Sequence, residues 1–153
     1  MYSRYFNELP VTLDAVGRVL AGDPVQWLPG ARWSPSGSVE ILTAVGPLGE
    51  AAPRKKVRIT IGTLAVEADQ VRLPLSWQAT GPGFLFPEMT GELEASRWDN
   101  DSTLLSLQVD YIPPLGALGR QLDERLLHRL AWSTLRTFRD GITESLRVLA
   151  ATA

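Results

Sequence analysis

The residues that could carry acid, base or metal chemistry are few and poorly matched to one another. His128 is the only histidine, and the 153-residue chain contains no cysteine. No triad or imidazole metal site can be assembled around a second histidine. Disulfides, thiolate nucleophiles and cysteine-based metal sites are absent for the same reason. The sequence therefore predicts no metal site and no cofactor.

Three short motifs resemble functional loops but do not meet their requirements. Asp99-Asn100-Asp101 begins like a calcium loop, yet it lacks the glycine at the sixth position and the glutamate at the twelfth. Ser34, Ser36 and Ser38 flank Trp33 and Pro35 without a Gly-x-Ser-x-Gly nucleophile elbow. The Gly-x-x-Gly of residues 116–119 lacks the lysine and serine of a phosphate loop. These motifs predict a hairpin turn, a surface loop and the irregular entry to a helix.

The elements that must position any site follow from hydrophobic periodicity. From Ser38 onward apolar residues alternate with polar ones, which is the period of strands. The odd-numbered face consists of Val39, Ile41, Thr43 and Val45; Val57, Ile59 and Ile61; Val71, Leu73, Leu75 and Trp77; Met89, Gly91, Leu93 and Ala95; Thr103, Leu105, Leu107, Val109 and Tyr111. The even-numbered face is mostly polar, for example Glu92, Glu94 and Asp110. This alternation predicts an antiparallel sheet with one buried and one solvated face.

The alternation changes parity once, between Gly62 and Val66, where the apolar positions become even-numbered. A bulge at Gly62, or a turn just after it, would explain the shift.

Helical periodicity occurs near both ends of the chain. After a first strand over residues 1–9, Thr12 or Asp14 can cap a short helix that stops at Gly22, and Asp23-Pro24 opens another helical turn through Trp27.

A long helix is predicted from about Leu115 to Ala150. Its apolar stripe is Leu127, Ala131, Leu135, Phe138, Ile142, Leu146 and Leu149. We place the charged residues of this segment, Arg139 among them, mostly away from that stripe. The helix is too apolar on one face to be solvated, so it must lie on the sheet.

Composition places the chain among globular proteins. With 44% hydrophobic and 21% charged residues, residues 1–153 are predicted to form one domain. No apolar run is long enough to insert into a membrane, and the N-terminus does not resemble a signal peptide. The formal net charge of −2 and the solvated cluster Arg54, Lys55, Lys56 and Arg58 do not favour nucleic-acid binding. We expect a cytoplasmic protein.

The order of strand, two short helices, antiparallel strands and one long terminal helix is accompanied by several recognisable strings. They are Val71 to Trp77 (VRLPLSW), Leu85-Phe86-Pro87 with Gly91 following, Tyr111 to Gly116 (YIPPLG) and Gly119 to Asp123 (GRQLD). Over essentially the whole chain, the sequence resembles the START-like, polyketide cyclase/dehydrase and lipid transport (SRPBCC) superfamily. The resemblance implies an α+β helix-grip fold, a curved antiparallel sheet wrapped around the C-terminal helix, with a cavity between them. It implies no catalytic residue.

If the odd-numbered faces look inward, the cavity lining is largely aliphatic and aromatic. The candidate ligand-binding residues are Trp33, Leu75, Trp77, Phe84, Phe86, Met89, Leu107, Tyr111, Leu135 and Phe138. The few polar groups available to it are Thr43, Thr103, the Tyr111 hydroxyl, the Trp77 indole N–H and Arg97. No inward pair of carboxylates serves general acid–base chemistry, because the acidic residues fall on the even-numbered face.

Three functions remain open at this stage. The first is non-catalytic binding of an apolar or amphipathic small molecule such as a lipid, a quinone or a polyketide-like aromatic. The second is an enzyme of the cyclase or dehydratase type, in which Tyr111, Arg97 and His128 would act. The third is an interaction module with a filled core, whose surface binds a partner protein.

Overall fold

The strands and helices follow one another in the order expected for a helix-grip fold. The computed structural model describes residues 2–44, 54–79, 88–112 and 124–152. Its elements are β1 (Tyr2–Leu9), α1 (Leu13–Ala21), α2 (Pro24–Trp27), β2 (Ala31–Trp33), β3 (Val39–Ala44), β4 (Arg54–Ile61), β5 (Ala65–Val66), β6 (Gln70–Ala79), β7 (Glu88–Arg97), β8 (Thr103–Ile112) and α3 (Glu124–Ala151). The predicted α+β class is confirmed.

The strands form one antiparallel sheet in the order β1-β8-β7-β6-β4-β3-β2, with β5 pairing to β6. Apart from β5, the register places odd-numbered residues beside odd-numbered residues, so that Leu107, Leu93 and Leu73 are neighbours on three adjacent strands. These three leucines are at most 2% exposed. The predicted inward parity is therefore confirmed on the strands whose side chains are described.

The predicted irregularity at Gly62 is a one-residue bulge. Ile61 pairs with Leu75, whereas Ala65 pairs with Arg72, so four steps on one strand match three steps on the other. The Gly62 N–H donates to the Pro74 carbonyl oxygen at 2.8 Å. A side chain on Gly62 would come within 2.9 Å of Pro74 Cβ, which explains the glycine.

The two short helices begin and end where their capping residues predict. Thr12 Oγ1 accepts a hydrogen bond from the Ala15 N–H, and Gly22 closes α1. The Asp23 carboxylate accepts from the Val25 N–H and caps α2, which has Pro24 at its first position. Both helices are thus fixed by local hydrogen bonds.

The long helix α3 lies against the inner face of the sheet through its predicted stripe. Leu135, Ile142 and Leu146 are at most 3% exposed. A Cβ on Gly141 would come within 2.7 Å of Pro29 Cγ, so α3 also packs closely on the segment after α2. The predicted helix start near Leu115 lies outside the described residues.

Two sequence-based expectations about the polar regions are wrong. Trp33 is not a loop residue, because it ends the short strand β2 and pairs with Val39. β2 was missed since three residues are too few to show alternation. The even-numbered face, predicted to be solvated, includes Glu40 and Ser106, which are only 8% and 2% exposed. Glu40 lies 3.9 Å from Lys56 and 4.0 Å from Arg32, so two positive charges lie beside this buried carboxylate.

The inward assignment can be tested with single cysteines, since the natural chain has none. Ser76→Cys and Gln78→Cys in β6 should react quickly with a water-soluble thiol reagent. Leu73→Cys and Leu75→Cys should react slowly, because both positions are buried. The measurement is the labelling rate under native conditions, and equal rates at all four positions would contradict the assignment.

A second test concerns the tight pairing of β7 with β8. A Cβ on Gly91 would overlap the Gln108 carbonyl oxygen, so Gly91→Ala should lower the free energy of unfolding by about 1–3 kcal/mol. Gly17→Ala in α1 is the control, because its Cβ would lie 3.6 Å from Val71 Cγ2, an ordinary contact. That control should gain about 0.5–1 kcal/mol in stability. Urea denaturation measures the free energy of unfolding of both variants. If Gly91→Ala leaves it unchanged, then β7 and β8 can move apart at this position without any loss of stability.

Candidate functional site

Five of the predicted ligand-binding residues are buried on the inner face of the sheet or on the facing side of α3. They are Leu75, Trp77, Met89, Leu107 and Leu135, each at most 7% exposed. Trp77 and Met89 are register partners on β6 and β7. The strand pairing therefore brings together an indole ring and a thioether, which are large and adaptable apolar groups.

Phe138 connects this wall to the helix. Its ring centroid lies 5.3 Å from that of Trp77, with the two planes tilted by 40°. Phe138 is only partly buried, although it packs against the core. The contact joins α3 to the sheet near the strand ends that lead into residues 80–87.

The other predicted site residues are not brought into this cluster by the described part of the structure. Trp33 is 51% exposed on β2. Phe84 and Phe86 lie outside the described residues. The Tyr111 backbone pairs with Met89, but its side chain is not described, and the same holds for the His128 side chain on α3. Roles for Phe84, Phe86, Tyr111 and His128 therefore remain predictions.

Two of the predicted polar groups have other roles. Arg97 Nε donates to Asp69 Oδ1 at 3.0 Å, on the exposed surface beside β6. Thr103 is fully buried, and its hydroxyl donates to the Val11 carbonyl oxygen at 2.8 Å. The expectation that Arg97 reaches the interior is therefore wrong, because a carboxylate outside the sheet binds it. Thr103 uses its only O–H donor to attach the segment before α1.

A polar cluster that sequence analysis missed lies between β1 and α3. The Asn7 side-chain amide donates to Thr143 Oγ1 at 2.9 Å, and Thr143 Oγ1 donates to the Arg139 carbonyl oxygen at 2.9 Å. The Arg139 guanidinium carbon lies 5.1 Å from the centroid of the Tyr5 ring. Placing Arg139 away from the stripe was wrong, because it follows Leu135 by four residues and therefore shares its helix face.

The signal for this cluster was present in the parity of β1. Tyr5 and Asn7 pair with Leu107 and Leu105, so both belong to the inward, odd-numbered face. The mixed composition of the first strand hides this alternation in the sequence.

A narrow crevice separates β1, β7 and β8 from α3 near this cluster. Its lining residues are Asn7, Leu93, Leu105, Leu107, Arg139 and Ile142, and it has no room for a water molecule. The interior at this position is therefore filled by side chains. Any larger ligand space must lie elsewhere along the sheet–helix interface.

The described groups with displaced pKa values belong to surface contacts. A hydrogen bond from Arg147 lowers the pKa of Glu144, and the backbone N–H of Asp101 lowers the pKa of Asp99. The hydrogen bond that Arg72 donates to the Glu67 carboxylate, supported by the negative charge of Glu67, raises the pKa of Arg72. These shifts reflect ion pairs and a hairpin turn, and they do not identify a catalytic acid or base.

Neither a metal cluster nor a membrane-spanning helix is found among the described residues. They contain no group of three or more acidic or histidine side chains that could hold a metal ion. Over the same residues, no helix has both the length and the apolar character required to span a membrane.

Similarity to known proteins is found in the structure of this chain and not in its sequence. No family model matches this sequence, and no curated protein matches it. Norcoclaurine synthase from Thalictrum flavum, solved as a point mutant in complex with a transition-state analogue, is 13% identical with a TM-score of 0.59. That match covers 95% of this chain and 93% of the synthase.

Two bacterial structures match over a similar extent. The START superfamily protein from Mycobacterium smegmatis is 14% identical with a TM-score of 0.57, over 99% of this chain and 97% of that chain. The Zhui aromatase/cyclase from Streptomyces sp. R1128 is 14% identical with a TM-score of 0.56, over 99% of this chain and 93% of that chain. Identities this low carry the fold and no shared activity. Strand order, helix position and these matches together show that the chain has the START-like helix-grip fold.

Proposed function

We propose that this protein binds an apolar or amphipathic small molecule between the sheet and α3, at the end where Trp77 and Phe138 meet. The observation that carries the proposal is the apolar inner face, on which Trp77, Met89 and Leu75 adjoin one half-buried ring of α3. Sites for such ligands are usually concave and apolar, with a small number of polar groups that fix orientation.

The packing of the described elements favours this end of the sheet over the other. At the far end, Thr103 binds the Val11 carbonyl oxygen, and α1 lies in contact range of Val71. α1 also packs against α3. These contacts close the far end of the interface. Entry beside Trp77 and Met89 would not need to disrupt them.

The walls of the proposed site are Leu75, Trp77, Met89, Leu107, Leu135 and Phe138. Trp33, Phe84, Phe86 and Tyr111 are retained as further predicted contacts, and a single domain with a cytoplasmic location remains our expectation. The matched structures support a ligand role to a limited extent, because one of them was solved with a transition-state analogue bound.

The names of two matched structures favour a second candidate, a cyclase-type enzyme. We propose binding without catalysis, because the described inner face offers no pair of acidic groups and Arg97 is held outside by Asp69. Tyr111 and His128 are then the remaining predicted acid–base groups of that enzyme.

Co-purified ligand should be detectable by native mass spectrometry of the freshly purified protein. We expect an added mass of a few hundred daltons, on the order of one drug-sized ligand in such a pocket. Met89→Trp should abolish the adduct by filling the site, whereas Gln78→Trp, on the outer face of the same sheet, should retain it. Circular dichroism establishes that both variants are folded. Equal adducts in both would contradict the proposed location.

The stability of Phe138→Ala distinguishes a ligand site from a filled core at this position. A partly open site leaves fewer contacts to lose, so we expect a loss of about 1–2 kcal/mol in the free energy of unfolding. Leu146→Ala, at a fully buried position on the same helix, should cost about 2–5 kcal/mol. Urea denaturation compares the two. A loss of about 3–5 kcal/mol for Phe138→Ala would favour the filled interaction module instead.

Tyr111→Phe and His128→Gln separate binding from catalysis. For a binding protein, each variant should retain affinity for the parent's ligand within about tenfold, because a single hydrogen bond contributes about 0.5–1.5 kcal/mol. Removal of a general acid would lower a reaction rate by about 100- to 10,000-fold. The assay is turnover of a poly-β-ketone by the parent chain and by both variants. Parent turnover that either variant abolishes would establish the cyclase.

A further inference from the structure

We propose that this protein forms a homodimer in which β1 pairs antiparallel with β1 of a second copy, about a two-fold axis at Phe6. The pairing would join the two sheets into one continuous sheet. This contact lies at the edge of the sheet and is independent of the proposed ligand site. It assigns a role to β1, which that site does not use.

β1 is an edge strand that is paired on one side only among the described residues. The sheet order places it at one end, and all eight of its residues pair with β8 without interruption. About half of the backbone N–H and C=O groups of such a strand point away from its one neighbour. These groups are a template for a further strand, which is a recurring way for two chains to associate.

The features that usually protect an edge strand from association are weak in β1. Protected edges are often very short, bulged, interrupted by proline or lined with lysine. The opposite edge of this sheet, β2, has only three residues. β1 has eight, contains neither proline nor lysine, and pairs with β8 without a bulge. Its one cation, Arg4, already donates to the Glu94 carboxylate at 3.1 Å, so its charge is neutralised.

Aromatic rings are exposed on both faces of this edge. Phe6 is 52% exposed on the outer face, and the Arg4 guanidinium carbon lies 4.9 Å from its ring centroid. On the inner face, Trp132 of α3 is 45% exposed and meets the Tyr5 ring edge-on at 5.2 Å. Aromatic side chains are enriched at protein interfaces relative to the rest of the surface. A second copy beside β1 would cover part of both exposed rings.

The sequence of β1 is complementary to itself when the pairing is centred on Phe6. This register sets Phe6 against Phe6 of the second copy, and Arg4 against Glu8. Aromatic pairs and opposite charges placed directly across two strands both stabilise a sheet. The two-fold axis creates the charged pair twice. Shifting the centre to Tyr5 or Asn7 would separate the two charges.

Glu8 supplies the unpaired charge that this register requires. Its side chain is exposed and forms no ion pair among the described residues. Arg4 can bind a second carboxylate besides Glu94, because a guanidinium carries five N–H donors. Charge complementarity therefore favours a second copy of this chain over an unrelated strand at the same edge.

Sedimentation velocity over a range of concentrations measures dimerisation of the full-length chain. The parent should dimerise, and Glu8→Arg should weaken the dimer by about tenfold, because two attractive pairs become two repulsive ones. Glu88→Arg is the control, since it changes the charge equally on β7, two strands away from the edge. It should leave dimerisation within about twofold. Circular dichroism establishes that both variants are folded.

Disulfide trapping tests the register, because the natural chain has no cysteine. With copper–phenanthroline in air as the oxidant, Phe6→Cys should form a covalent dimer, since directly opposed Cβ atoms lie about 4.5–5.5 Å apart. Glu8→Cys alone should not, because its two copies would be four residues apart along the strands, about 13 Å. A mixture of Arg4→Cys and Glu8→Cys should form the mixed dimer. Leu42→Cys, at a position 47% exposed on β3, is the control for random collision.

Two outcomes would overturn the proposal. One is a parent chain that stays monomeric at up to about 1 mM. The other is a dimer that Glu8→Arg and Glu88→Arg affect equally, or in which Phe6→Cys cross-links no faster than Leu42→Cys, since the copies would then associate through another surface. If Glu8→Arg does not fold, the cysteine variants alone decide between these results.

Discussion

The contact between the odd-numbered face of the sheet and one stripe of α3 is the interaction on which the rest of the structure depends. Leu73, Leu93 and Leu107 form a continuous apolar surface across β6, β7 and β8, and Ile142 and Leu146 cover it. Each fully buried leucine or isoleucine contributes about 1.5–3 kcal/mol relative to an exposed one. Neither surface could remain in water, so helix and sheet must fold together.

That shared surface is closed unequally along its length. At one end α1 adds a further layer of contacts to α3 and the sheet, while at the other Phe138 meets Trp77 and stays only partly buried. A helix held firmly at one end can admit a ligand near the other without losing the core that fixes it. The asymmetry therefore reconciles a stable fold with a binding site inside the same apolar layer.

The sequence predicted the parts of this structure that repeat or that have local chemical causes. Strand parity follows from a period of two over many residues, and Thr12, Asp23 and Gly22 cap helices through contacts within a few residues. The bulge at Gly62 was visible as a change of parity. Tertiary context decided the rest: β2 is too short to show a period, and Glu40 is buried beside cations that come from two other strands.

Arg139 and Tyr5 show why the candidate site was harder to predict than the fold. Charge suggested that Arg139 belongs in solvent, whereas its spacing from Leu135 places it towards the sheet, where its charge is compensated by Asp140 and by the Tyr5 ring. A long side chain can bury its stem while its head stays hydrogen-bonded. The residue type of Arg139 therefore indicated solvent, whereas its position on the helix indicated the sheet. The structure follows the helix position.

The polar content of the interior bears on the kind of recognition that this fold can perform here. Thr103 and Asn7 satisfy protein groups through their hydrogen bonds, so they stabilise the fold, whereas the Tyr5 hydroxyl has no such role among the described residues. Shape and apolar area would then determine how tightly a ligand of the proposed site binds.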